Sequence, residues 1–127
     1  MSRILVAEDD PHILRVISLW LKRQSHEVIE ARNGLMALEL FNVHRPQIVV
    51  TDINMPGMDG LELLETLGKS DCKPRGIVVL TNRWDHREIG EQLANRGVQV
   101  VPKPFSPSDL ASRIEKLLAA HDEAAPA

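Results

Sequence analysis

Five short apolar runs recur along the chain: Ile4-Leu5-Val6-Ala7, Val28-Ile29, Ile48-Val49-Val50, Ile77-Val78-Val79-Leu80 and Val98 to Val101. Most are β-branched and continuous rather than alternating, the pattern of strands covered on both faces. Between them lie segments of helical spacing. Leu14, Ile17 and Leu21 fall at i, i+3, i+7, and Leu110, Ile114, Leu117 and Leu118 at i, i+4, i+7, i+8. Asp10-Pro11 offers an N-cap followed by proline at the first helical position, and Asn33-Gly34 opens a second helix. Ser106-Pro107 or Ser108 starts the last one. Five alternating βα units result, and parallel strands with right-handed helical crossovers follow from the connection lengths. A doubly wound α/β sheet is the economical arrangement. Gly68 to Gly76 reads as a surface connection. His121 to Ala127 lack periodicity, so the domain is expected over 1–120 with a flexible tail at 121–127.

At 127 residues the chain is long enough to bury one core without staples. A formal net charge of -3 gives no reason to expect direct nucleic-acid binding. The lone Cys72 has no partner for an internal disulfide, which fits a reducing compartment. No segment approaches the roughly 20 apolar residues of a membrane span, and the chain enters a strand without room for a signal peptide. A soluble, cytoplasmic protein with no membrane insertion is expected.

The chemistry gathers at strand ends. The first strand ends in Glu8-Asp9-Asp10, the third in Asp52, the fourth in Thr81, and the fifth runs into Pro102-Lys103-Pro104-Phe105. In open α/β sheets ligands bind at that edge. Carboxylates from adjacent strand ends repel and raise one another's pKa unless a cation intervenes. Oxygen ligands suit Mg²⁺ better than zinc, and none of the five histidines (His12, His26, His44, His86, His121) has metal-ligand spacing. Each histidine reads as solvated or capping. Lys103 adds a fixed positive charge and Thr81 a hydroxyl donor. Together these are the parts of a phosphoryl-transfer site with Asp52 as the nucleophile. Asp10 is more simply an N-cap, and Asp59 before Gly60 a turn former.

With these residues in place, the chain resembles the receiver domain of two-component response regulators, and is similar to the single-domain chemotaxis regulators. The resemblance covers residues 3 to 119. It rests on Ile4-Leu5-Val6-Ala7-Glu8-Asp9-Asp10-Pro11, on Asp52-Ile53-Asn54-Met55-Pro56-Gly57-Met58-Asp59-Gly60, on Thr81 and on Lys103-Pro104-Phe105. It implies a flavodoxin-like three-layer sandwich with strand order 2-1-3-4-5, which places Pro102 on an edge strand, where proline is tolerated. It implies that Asp52 accepts a phosphoryl group from a sensor histidine kinase or phosphotransfer protein. By the same resemblance Glu8 and Asp9 hold Mg²⁺ with Asp52 and the carbonyl of Asn54, Lys103 contacts the phosphoryl group, and the Lys103-Pro104 bond is cis. The signal then passes to a downstream protein target or a fused output domain. Thr81 is implied to move inward onto the phosphoryl group. One such charged hydrogen bond contributes roughly 1.5–3 kcal/mol, against about 5.5 kcal/mol for a complete two-state switch. Lys103, the metal and repacking must supply the rest.

The chain departs from the family pattern in three places. Val100 stands where an aromatic ring commonly changes rotamer, and the sequence has no Tyr. Asn82 replaces a small residue after Thr81. Trp84 lies three residues beyond Thr81 and is a candidate replacement aromatic on the output face, against a plainer reading as local packing. Trp20 reads as a packing residue. Two other classes compete. An aspartate-nucleophile phosphatase shares Asp52, Thr81 and Lys103, but carries a second aspartate where this chain has Asn54. A nucleotide binder of the same fold needs a phosphate-cradling glycine loop after the first strand, and none is present.

Overall fold

The computed structural model describes residues 2–55, 57–69, 74–82, 98–103 and 105–124, with the side chains of Asn82 and 120–124 outside that description. Its strands are β1 (Arg3–Ala7), β2 (Glu27–Ala31), β3 (Ile48–Asp52), β4 (Gly76–Asn82) and β5 (Val98–Lys103). Its described helices are α1 (Pro11–Arg23), α2 (Gly34–His44), α3 (Gly60–Gly68) and α4 (Pro107–Ala124). All neighbouring strands pair in parallel, in the order β2-β1-β3-β4-β5.

The continuous apolar runs are the central strands. Every residue of β3 and all of β1 after Arg3 are buried. Alternate side chains go to opposite faces. Ile4, Val6, Ile48, Val50, Val78 and Leu80 meet Leu14, Ile17 and Leu21 of α1 and Leu110, Ile114 and Leu118 of α4. Leu5, Ala7 and Val49 meet Ala37 and Phe41 of α2 and Leu63 and Leu67 of α3. Each fully buried Leu, Ile or Phe contributes about 1.5–3 kcal/mol, so the two layers fix the strand order.

The helix starts follow the local sequence. Asp10 Oδ1 accepts from the backbone N–H of His12 at 2.8 Å, with Pro11 opening α1. Asn33 Oδ1 accepts from Met36 at 2.8 Å, and Ser106 Oγ from Asp109 at 3.4 Å. Asp59 is more than a turn former, since its carboxylate caps α3 by accepting from Glu62 at 2.9 Å. α4 continues to Ala124, past the end expected at residue 120. Helix propagation after a formed turn is cheap, and Ala119-Ala120-His121-Asp122-Glu123-Ala124 contains no glycine or proline to stop it. His26 also differs from expectation. It is 8% exposed, accepts from the Ser2 backbone N–H through Nδ1 and pairs through Nε2 with Glu115 of α4.

Two glycines set close approaches beside β3. A Cβ on Gly60 would lie 2.5 Å from the Asp52 carbonyl oxygen, and one on Gly34 would lie 2.1 Å from the Met58 carbonyl oxygen. Gly60→Ala is therefore expected to destabilise by about 1–3 kcal/mol, through overpacking against backbone. At an ordinary helical position the same change would stabilise by about 0.5–1 kcal/mol. Urea denaturation reads the sign, and a stabilised Gly60→Ala protein would contradict the contact.

Candidate functional site

β1 and β3 lie side by side with Ala7 opposite Thr51, so the residues that follow, Glu8 and Asp52, emerge together. Glu8 extends the strand, its backbone N–H donating to the Ala31 carbonyl at 3.0 Å. Its side chain is fully buried, and Asp52 is 5% exposed. Asp9, the next residue, is exposed, and carboxylate oxygens of Glu8, Asp9 and Asp52 lie within 4.8 Å of one another. From the far edge of the sheet Lys103 reaches across. Its ammonium donates to Asp52 Oδ2 at 2.9 Å and to Glu8 Oε2 and Oε1 at 3.1 and 3.3 Å.

Burial first, and the neighbouring charge of Asp52 second, push the Glu8 carboxyl up to about 7 despite the opposing effect of Lys103. Burial works against the Lys103 ammonium too. The hydrogen bond and charge of Asp52, and then those of Glu8, outweigh it and hold Lys103 above the ordinary lysine value. Three carboxylates and one ammonium leave two uncompensated negative charges when all are ionised. The donors are all oxygen, and one hard divalent cation would balance them.

Thr81 occupies β4 one residue beyond Leu80, the register partner of Asp52, and is itself opposite Pro102 of the edge strand β5. It is wholly buried, and its hydroxyl has no hydrogen-bond partner among the described residues. Buried hydroxyls are rarely left so, and each case needs an explanation. Asn54 is exposed behind Asp52, its backbone N–H 3.4 Å from Asp52 Oδ1.

Glu8, Asp9, Asp52, Thr81 and Lys103, each singled out from the sequence, thus sit at one sheet edge. Val100 does not join them. It is half-buried and packs against Ile53, Leu64 and Val79. Trp84, Pro104 and the Asn82 side chain lie outside the described residues. Two features of the site were not legible in advance. The sequence assigned Lys103 to a phosphoryl group, without its contact to Glu8. Gly60, named in the sequence only as the residue after Asp59, is what lets α3 start against the Asp52 backbone. The closely spaced glycines at 57 and 60 were the available signal, and Gly57 takes φ +79°.

Comparison with known proteins agrees with this geometry. The response regulator receiver domain matches as a family over residues 4–115. The chain is 32% identical over 115 residues to the response regulator GtcR of Aneurinibacillus migulanus, covering 91% of this chain and 47% of that protein. It is 35% identical over 115 residues to the transcriptional regulatory protein PdtaR of Mycobacterium tuberculosis, covering 89% of this chain and 55% of the other. It therefore spans about half the length of these curated relatives. The receiver domain of the Francisella response regulator 1452 superposes with a TM-score of 0.86 at 28% identity, covering 94% of this chain and 98% of that one. Fold, site and relatives agree: the chain belongs to the response regulator receiver domains of two-component signalling.

Proposed function

We propose that this domain is a phosphoacceptor switch, phosphorylated on Asp52 in a Mg²⁺-dependent reaction, rather than an enzyme acting on a separate substrate. The observation that carries the reading is the Thr81 hydroxyl, buried beside the end of β3 with no hydrogen-bond partner among the described residues. Such a group has a use when a phosphoryl oxygen arrives next to Asp52. An Asp52 carboxylate oxygen forms the new P–O bond as the P–N bond of a phosphohistidine breaks, and the imidazole leaves with the electron pair. The donor is a sensor histidine kinase or phosphotransfer protein. Glu8, Asp9 and Asp52, with the Asn54 carbonyl, would hold Mg²⁺, which when bound offsets charge on the phosphoryl oxygens. Lys103, already 2.9 Å from Asp52, exchanges part of that contact for the phosphoryl group. The bulkier, more charged Asp52 then biases the conformation read by a downstream protein or fused output domain. The compartment that fits is the cytoplasm; among the described residues no helix is long and apolar enough to cross a membrane.

Intact-mass measurement after incubation with acetyl phosphate tests the reading. One phosphoryl group is expected with Mg²⁺, and none with chelator or in Asp52→Asn. Failure of the parent protein to gain it would overturn the assignment, and labelling that survives Asp52→Asn would move it to another residue.

The orphaned hydroxyl makes a second prediction. Thr81→Val keeps the shape and removes an unsatisfied polar atom, so the unphosphorylated protein should gain about 1 kcal/mol in urea unfolding. A comparable loss would mean the hydroxyl is hydrogen-bonded in the native state.

The raised Glu8 pKa makes a third. Its folded value, about 7, lies above the ordinary carboxyl value of 4.5 expected in the unfolded chain, so the folded state binds more protons between those limits. Stability contributed by the protonated form is present below 4.5 and is lost as pH rises to about 7, by about 1–3 kcal/mol without divalent cation. Mg²⁺ binds the ionised carboxylates and should recover that loss, more at pH 7.5 than at pH 5. Glu8→Gln should flatten the chelator curve. Denaturation profiles of parent and Glu8→Gln that run parallel in chelator would refute this.

A further inference from the structure

Among the described residues Glu8, Asp52 and His26 are the buried titratable side chains, and the phosphoacceptor chemistry uses only the first two. His26 lies at the other end of the sheet, in the turn that joins α1 to the start of β2. Backbone N–H groups of Gln24, Ser25 and His26 donate back to Leu21 and Lys22, and Ser25 takes φ +68° to complete the turn. Both nitrogens of the imidazole are engaged. Nδ1 accepts from the Ser2 backbone N–H at 3.2 Å, and Nε2 meets the Glu115 carboxylate of α4. One ring thus joins segments 24 residues away in one direction and 89 in the other. Ser2 is held a second time. Its carbonyl accepts from the Glu27 N–H at 2.8 Å, just ahead of the Arg3–Glu27 register pair that opens the β1–β2 ladder.

We propose that His26 is a proton-operated latch between the start of the sheet and the last helix. A backbone N–H can only donate, so Nδ1 presents its lone pair to Ser2 and the ring's one proton sits on Nε2, facing Glu115. The latched ring is neutral and fixed in that tautomer. A second proton must enter at Nδ1, where it meets the Ser2 N–H, donor against donor. The Ser2 contact then breaks, and a buried N–H loses its acceptor. The Nε2 contact survives and becomes charge-assisted. Acid therefore frees Ser2 and loosens the first β1–β2 rung while α4 keeps its hold on the ring. Among the described residues Glu115 is the charged group bonded to the imidazole. On the other elements packed here, Arg3 of β1 and Glu27 of β2 pair with each other at 3.0 Å, and Arg3 also donates to the His44 carbonyl of α2 at 2.9 Å. Lys22 and Arg23 at the end of α1, and Lys116 beside Glu115, are exposed.

NMR of the isotope-labelled full chain at about pH 8 and about pH 5 tests this, the range over which histidine ordinarily changes charge. At the higher pH the His26 ring should carry its proton on Nε2 alone. At the lower pH both nitrogens should be protonated and the Ser2 amide should shift. The Glu27 amide should then lose about tenfold in hydrogen-exchange protection, corrected for intrinsic exchange, as one lost hydrogen bond implies. Two variants that do not titrate separate the two nitrogens. His26→Asn sets an oxygen near the place of Nδ1 and should keep Glu27 protected at both pH values. His26→Gln reaches toward Glu115 without that acceptor and should be loosened at both. Glu8, which also takes up a proton in this range, lies beyond the far end of β1 and is common to all three proteins. A ring protonated on Nδ1 at the higher pH, or one still neutral at the lower, would overturn the latch. So would protonation without change at Ser2 and Glu27, or the parent's pH response persisting in His26→Asn.

Discussion

The parallel register of β1 and β3 brings Glu8 and Asp52 out of the sheet side by side, and a single ammonium, from Lys103, lies against both. Much of the rest of the molecule serves that contact. Asp52 is held from behind by α3, which starts close enough to its carbonyl that only a glycine fits at position 60. Lys103 arrives from the opposite edge only because β4 and β5 pair through to Asn82 and Lys103. Removing either carboxylate from water costs several kcal/mol if it stays ionised and unpaired, so the fold sustains this cluster by sharing one cation and protonating Glu8. A site built this way carries a deficit of positive charge. That deficit is a stability cost that a divalent cation would relieve.

Local features were readable from the sequence and long-range ones only in outline. Asp10, Asn33 and Ser106 cap helices within three residues of themselves, so their roles follow from neighbours in the chain. The strand cores were visible as β-branched runs, because strands covered on both faces need no polar alternation. Where the runs turn polar the pattern stops being informative. β2 extends to Glu27 and Ala31, and β4 to Asn82, through ladder bonds that no hydropathy records. The site's members were legible one strand end at a time. The Lys103 to Glu8 contact joins residues 95 apart in sequence, and no spacing within one segment encodes it. His26 was misread for the same reason, since Glu115, its partner, belongs to the other end of the chain.

α1 is held firmly on its inner side. Its inner stripe is spent on the core, and Ser18 ties it to the edge strand by donating to Glu30 at 2.7 Å. Its N-terminus, capped by Asp10, directly follows Glu8 and Asp9.

On the phosphoacceptor reading, a signal that leaves Thr81 through β5 passes into aliphatic packing. Val100 is paired with Val79 in the sheet and packs in a cluster with Ile53 and Leu64. Valine is stiff at χ1, so Val100 cannot act by swinging a long side chain between two pockets, as a ring could. A displacement of Thr81 toward Asp52 would instead move the β4 backbone, and Val79 and Val100 would follow because the interior between them is close-packed. The resulting shift is small and distributed rather than a single rotamer change. A reader of that state therefore cannot depend on a ring at position 100.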